Sequence, residues 1–492
     1  MRRKLLELCF LNFVVIPILP GCLTFSQPDG GGATTFQPPR HLNPSDAAVP
    51  PGYCLDIAVK GLTFPTGIVT DDKDRLYVVE SGYSYGEVIG QPRLLRVDPD
   101  GSLAVIAAGT SNGPWTGAVF YKGAFYLSEG GAKDGGAILK ISMDGKTERL
   151  LSGIPTMGDH QTNAPIVGPD GYLYFGVGTA TNSGVIGADN AEMGWLRRHK
   201  QFHDTPCQDI ELAGVNFSSD GLEEFGCTEN TQTGAFVPAC TSTKRGQIIR
   251  GSTLCSGAIL RMPLSGGKPE LVAWGFRNPF GGAFNGDGKL YVTDNSYDTR
   301  GARPIFGTGD LVWQIKPGTW YGWPDYWGTI PVTDARFAQG LMRQPTFLLA
   351  KHPNVPPKPV ATLGVHASAD GMDISRSLAF GYIGEAFIAM FGDMSTAGKV
   401  MNPVGFRVIR LDLKTGILSD FLVNRKTSGP ASKEGSGGIE RPIAARFNRD
   451  GSELYITDFG VITSGENGPK PYEGTGVVWR IKRGGCENVH GG

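Results

Sequence analysis

Only seven of the 492 residues are histidine, and two of these, His199 and His203, are followed by Cys207 at four-residue steps. On a helix that spacing puts all three on one face, where an imidazole pair and a thiolate could hold a metal. Cys207 has a competing use. Setting aside Cys9 and Cys22 near the N-terminus, six of the eight cysteines remain: Cys54, Cys207, Cys227, Cys240, Cys255 and Cys486. That is an even set, enough for three disulfides in an exported chain. A second constellation is aromatic. Trp320, Tyr321, Trp323, Tyr326 and Trp327 could stack on a sugar ring or pack between structural elements. Other chemistries leave no trace: no C-x-x-C-H for a covalent haem, no G-x-S-x-G, no H-E-x-x-H and no phosphate-binding glycine loop occurs. With 46 Lys and Arg against 47 Asp and Glu, no overall field would gather nucleic acid, which is excluded as a partner.

Such residues need elements to position them, and the strongest pattern in the chain is a repeated pair of strands. The first member is apolar-Tyr-apolar or close to it, often after Asp-Gly: DRLYVVESG from 74, GAFYLSEGG from 123, DGYLYFGVG from 170, DGKLYVTDN from 287, GEAFIAMFGD from 384 and DGSELYITDFG from 450. Each is followed by a strand with a polar or basic residue among aliphatics: RLLRVDPDG, AILKISMDG, AILRMPLSG, LVWQIKPG, FRVIRLDLKTG and VVWRIKRGG. Six interleaved pairs predict an all-β, six-bladed β-propeller, in which ring closure leaves only short, protected edges. The 72 Gly and 34 Pro suit many tight turns, and a hydrophobic share of 40% supplies the core. The segment around Tyr53 to Val59 is expected to complete the last blade. A closed ring brings its ends together, so Cys54 is expected to pair with Cys486. The third and fourth copies are too far apart, and removing residues 183–256 restores the period. The extra block holds four cysteines and is expected as a disulfide-rich insertion between blades three and four.

Ahead of the propeller (53–486), Met1-Arg2-Arg3-Lys4 precedes an apolar stretch to Leu19 and then Leu19-Pro20-Gly21-Cys22. This is an export signal over 1–22, too short to span a bilayer stably. Its ending resembles a bacterial lipobox, with Cys22 as the lipidated residue. The Pro- and Gly-rich stretch 23–52 is expected as a flexible tether. The protein is therefore expected outside the cytoplasm, facing the periplasm or cell surface, and held to the membrane through its lipid alone.

Several segments resemble the pyrroloquinoline quinone (PQQ)-dependent glucose/sorbosone dehydrogenases. They are GDHQTNAPIVGPDGYLYFGVG (158–178), WGFRNPFGGAFNGDGKLYVTDN (274–295), WYGWP (320–324), GVHASADGMDI (364–374), VGFRVIRLDL (404–413) and RPIAARFNRDG (441–451). The resemblance implies oxidation of an aldose, a sorbosone-like sugar or a related alcohol by hydride transfer to PQQ, with Ca²⁺ holding the cofactor. It puts His160 in the position of the base, a role for which imidazole is suited because it is neutral near pH 7. It puts Asp159 against the sugar, and Arg277, Asn278, Lys399 and Arg441 against the cofactor, whose carboxylates call for fixed cationic donors. His366 matches a recurrent His of the sorbosone branch. An external electron acceptor is implied, since no second redox domain is encoded. The sequence departs from the family pattern at four places, one of them a sugar-contacting Gln of the preceding blade that is replaced near Trp115 and Thr116. Thr179 stands where an Asp follows the strand glycine, Ala164 replaces an Arg, and Gly392-Asp393-Met394-Ser395-Thr396 replaces Gly-Ser-Trp-Asn-Arg. These departures keep two alternatives open: a non-catalytic propeller that binds carbohydrate or protein, and a calcium-dependent lactonase using Asp294, Asn295 and Asp458.

Overall fold

The computed structural model describes residues 35–485 apart from 85–86, 89, 395–403 and 466–467. The repeated strand pairs are the second and third strands of six antiparallel sheets arranged as blades. Blade one runs Pro65–Thr70, Leu76–Glu80, Arg93–Val97 and Leu103–Ala108, and blade two Trp115–Tyr121, Ala124–Glu129, Gly136–Ser142 and Thr147–Ile154. Blade three uses Ile166–Val167, Tyr172–Val177, Ala258–Pro263 and Glu270–Trp274, and blade four Asn278–Phe284, Leu290–Asn295, Gly309–Gln314 and Ala361–Val365. Blade five comprises Ala369–Ile374, Glu385–Met390, Arg407–Asp412 and Leu418–Asn424. Blade six contributes Pro442–Phe447, Glu453–Asp458 and Gly476–Arg483, and its fourth strand is Tyr53–Leu62 from the start of the chain, with Tyr53 opposite Arg483. The ring thus closes by joining its two ends in one sheet, as expected. Cys54 lies buried in that closing strand, whereas its expected partner Cys486 is outside the described residues.

A recurring device fixes where blades one, four and six begin. The acid ending a second strand accepts backbone N–H groups from the segment that enters the first strand of the same blade. Asp294 receives the amides of Arg277 (3.2 Å) and Asn278 (2.9 Å) and the indole N–H of Trp313 (3.3 Å). Asp458 receives those of Glu440 (2.9 Å), Arg441 (3.0 Å) and Trp479 (3.1 Å). Glu80 takes the amide of Thr63 at 2.7 Å. Buried amides left without acceptors would cost about 1–3 kcal/mol each, so the acid is a condition for burying the loop. Between blades the core is aliphatic and aromatic, with Trp313 and Trp479 fully enclosed.

Two expectations are corrected. The extra block is not between blades three and four. It leaves after Val177 and returns at Ala258, and these are paired neighbours, so it lies between the second and third strands of blade three. AILRMPLSG, the second member of the third strand pair, follows the block, so the pairing already located it inside a blade where the spacing of first members did not. The block holds two short helices, Ala188–Glu192 and Trp195–Arg198, and two small two-stranded sheets, with disulfides Cys207–Cys255 across its base and Cys227–Cys240 near its tip. Disulfides of this kind belong to chains that fold in oxidising compartments. The second correction concerns 35–52, the described part of the expected tether. Ala47–Ala48 adds a fifth strand to blade five, and the buried Arg40 guanidinium bonds the carbonyls of Thr475 (2.7 Å) and Gly438 (2.8 Å) and pairs with Asp458 (2.7 Å). A Pro- and Gly-rich stretch has no core of its own, but it can still dock on another. Among the described residues no helix is long and apolar enough to cross a membrane; the expected signal and Cys22 lie outside them.

Candidate functional site

In a blade of antiparallel strands, the loop entering the first strand and the loop leaving the second lie at the same end. His160, Arg277, His366 and Arg441 all sit in loops that enter first strands, of blades three to six, while Asp298, Arg300 and the insertion leave second strands. One end of the propeller therefore gathers nearly every residue singled out above.

His160 is set by the strand it lies against. Its Nδ1 faces the Thr179 carbonyl at 2.8 Å, and its own amide bonds the same oxygen at 3.2 Å. A carbonyl can only accept, so Nδ1 carries the hydrogen and Nε2 is left with its lone pair. Nε2 has no hydrogen-bond partner among the described residues. The closeness depends on Gly178, where a Cβ would stand 2.2 Å from that of His160. Burial, and after it Arg277, push the imidazole pKa down to about 3, so the ring is neutral at any physiological pH.

Arg277 is 5% exposed. Its Nε bonds Asn182 Oδ1 at 3.1 Å, one Nη approaches the Asn295 carbonyl at 3.4 Å, and the other pairs with Asp298. Two of its five N–H donors stay uncommitted. Asn278 joins blades three and four: its amide oxygen accepts from Asn163 and its nitrogen donates to Asn295, at 3.0 and 2.8 Å. Arg441 repeats the register of Arg277 in blade six, held by Asp458 as Arg277 is by Asp294. Its guanidinium bonds the carbonyls of Gly392 (3.1 Å) and Asp393 (3.3 Å) and covers the rings of Phe391 and Phe406. Lys399 is outside the described residues.

Asp159 does not open toward a ligand. Its side chain is 1% exposed, with one oxygen accepting from Asn190 (3.0 Å) and the Trp195 indole (2.7 Å) and the other paired with Arg300 at 2.8 Å. It therefore clamps the insertion onto the site. Arg300 completes the clamp by also pairing with Asp189 and Asp298. Burial outweighs Arg300 at Asp189, whose pKa rises to about 6. At Asp298 burial opposes ionisation, but Arg277, His366 and Arg300 overcome it and hold the carboxylate well below its ordinary range. Asp298 and Arg300 were missed by sequence reasoning; the only signal was a charged pair shortly after the second strand of blade four.

The remaining constellations resolve as packing. The second insertion helix ends at Arg198 and Cys207 is bonded to Cys255, so His199, His203 and Cys207 share no helix face. Trp320 lies parallel to His352 at 5.4 Å, and Trp323 packs on Phe236 of the insertion. No group of three His, Cys, Asp or Glu arranged for a metal is found among the described residues, and Asp294 and Asp458 are committed to amides and indoles.

No family model and no curated protein matches the sequence. Solved structures do. The holo PQQ domain of pyranose dehydrogenase from Coprinopsis cinerea is similar at 16% identity and TM-score 0.53, over 91% of this chain and 98% of that one. A Trichoderma reesei protein of carbohydrate-active enzyme family AA12 is similar at 15% identity and TM-score 0.53, over 91% and 99%. The fold is that of the pyranose dehydrogenase PQQ domain. At this identity the likeness speaks for the six-bladed architecture alone; the site must be read from its own residues. Within that fold the long excursion inside blade three packs at the functional end, where Asn182, Asp189 and Asn190 reach the site's charged groups.

Proposed function

We propose that the chain oxidises a hydroxyl-bearing carbon of an aldose, or a related sugar or alcohol, with PQQ as hydride acceptor and Ca²⁺ as its counter-ion. The observation that carries this reading is His160, a neutral imidazole with its Nδ1 hydrogen committed to a backbone carbonyl and Nε2 open beside Arg277. That is what a base taking a hydroxyl proton requires. PQQ, when bound, supplies an ortho-quinone that accepts the hydride. The donor set fits such a polycarboxylate through the two uncommitted N–H groups of Arg277, with Asn278, Lys399 and Arg441 as the further contacts the reading names. Arg277 holds the ligand's negative charge, Asn278 fixes the spacing of blades three and four beneath it, and His160 holds the proton at Nε2 once the hydroxyl has given it up. With Asp159 turned into the insertion clamp, it orients the site and leaves substrate contact to other residues. An external acceptor takes the electrons, and the lipidated Cys22 tethers the exported protein to its membrane.

A binding propeller without redox chemistry is the second reading. What favours it is Asp298, which sits on the Arg277 guanidinium and offsets its charge. Calorimetric titration with PQQ and Ca²⁺ separates the two. The dehydrogenase reading expects tight binding that is lost in Arg277→Ala, and a His160→Ala variant that binds but reduces no dye with any aldose. Absence of binding by the folded wild type would leave the binding propeller.

A further inference from the structure

Two imidazoles, His160 and His366, lie in the loops that enter first strands, and only one is explained by the base. His366 lies in the loop between the last strand of blade four and the first of blade five, with φ of +57°. Non-glycine residues occupy that region at a cost, and persist there when surrounding contacts over-determine them. Its Nδ1 pairs with Asp298 Oδ1 at 3.4 Å, while the other oxygen of Asp298 holds Arg277 and Arg300. The side chains of His366 and Asp298 are 18% and 32% exposed, so both are open to the site while His366 leans on the carboxylate. Among the described residues Nε2 of His366 has no hydrogen-bond partner.

We propose that His366, held by Asp298, is a protonated general acid facing the same site as the neutral base His160. The proposal rests on the dehydrogenase reading. Oxidising an alcohol carbon breaks a C–H and an O–H bond. The hydroxyl proton goes to His160 Nε2, the hydride with its electron pair goes to the quinone, and the second proton needed to complete the reduced quinone leaves His366 Nε2. His160 later returns its proton to solvent and His366 is recharged from it. The groups around His366 favour its cationic form. Asp298 faces it from the loop after the second strand of blade four, Asp310 from the third strand of that blade and Asp393 from the loop after the second strand of blade five; Arg277 and Arg300 oppose from behind Asp298. Burial works against protonation, but Asp298 and the other carboxylates win, and the pKa lies above the ordinary imidazole value. Divergent environments for two titratable groups are how a site assigns one as acid and one as base.

The test begins without cofactor. In ¹⁵N-histidine-labelled protein, His366 is expected to titrate above the ordinary value near 6.5, and Asp298→Asn to bring it below; His160 is expected to stay neutral throughout. An ordinary His366 titration, or one indifferent to Asp298→Asn, overturns the pair. With PQQ loaded, His366→Asn is expected to bind PQQ with near wild-type affinity, to lower kcat by about 10²-fold, and to remove the alkaline limb of the rate profile. An intact limb with unchanged kcat overturns the acid role. A wild type that binds no PQQ overturns the dehydrogenase reading instead, and the imidazole titration then decides the pair alone.

Discussion

Asp204 is a carboxylate that neutral pH should strain. It lies in the insertion at 1% exposure, accepts the Ala180 amide and the Thr181 hydroxyl, both at 2.6 Å, and has no cationic partner among the described residues. Burial pushes its pKa up to about 7 against these two bonds. An acid with a raised native pKa gives stability that is complete below its unfolded value near 4 and is lost as pH climbs through the native one. At pH 5 the native group is still protonated, at a cost of about 1.5 kcal/mol relative to an unfolded chain free to ionise; by pH 8 the cost approaches about 4 kcal/mol. Asn at this position keeps the shape and copies the protonated form, accepting from Ala180 and donating to Thr181. Asp204→Asn is therefore expected to gain on wild type by about 2.5 kcal/mol between pH 5 and pH 8, read from urea midpoints at the two pH values with unchanged slopes. A gap between variant and wild type that is equal at both pH values would refute the reasoning, since it would mean that the carboxylate is ionised and needed as a strong acceptor throughout.

Arg40→Ala should cost about 3–5 kcal/mol, because it leaves Asp458 buried without its cation; thermal melts of the chain check it, and a drop below about 1 kcal/mol would mean that residues near 40 do not dock. Trp479→Ala empties a fully enclosed site in the closing blade and is expected to cost about 3–5 kcal/mol, measured by the same melts. Removing Cys207–Cys255, whose partners are 48 residues apart, should cost about 4 kcal/mol, and removing Cys227–Cys240, 13 apart, about 3 kcal/mol. The reverse order in urea unfolding of the paired Cys→Ala variants would point to an insertion that stays structured when the rest unfolds.

The blade count was legible because every blade had to repeat the same pair of strands, an apolar second strand followed by a third with a polar or basic residue among aliphatics. Arg277 and Arg441 were singled out by a family resemblance; their shared register became visible only in the fold, where each enters a first strand pinned by the acid that ends the second, Asp294 and Asp458. What escaped was any contact made by residues far apart in sequence with no repeat behind them. Asp159 reads as a loop acid near a histidine, and nothing local says that Trp195 and Asn190 will close over it. Residues 35–52 read as a tether because composition reports whether a segment can fold alone, whereas docking depends on the surface it meets.

Thr179 shows how the departures fit together. In blades one, four and six the acid at the end of the second strand pins the loop entering the first, and blade three has Gly178-Thr179 at that place. The work is divided differently there. The Thr179 amide bonds the Arg277 carbonyl at 2.9 Å, linking blade three directly to the next blade. Its carbonyl takes the His160 hydrogen, and the carboxylate comes instead from Asp204 in the insertion, holding Ala180 and Thr181. An acid at position 179 would put a second anion beside the imidazole and favour its protonated form; with Thr there, burial and after it the Arg277 cation keep the ring neutral. The missing acid, read from sequence as a weakness of the site, is then consistent with a base kept free of its proton, and the insertion is the element that lets the strand end do without it.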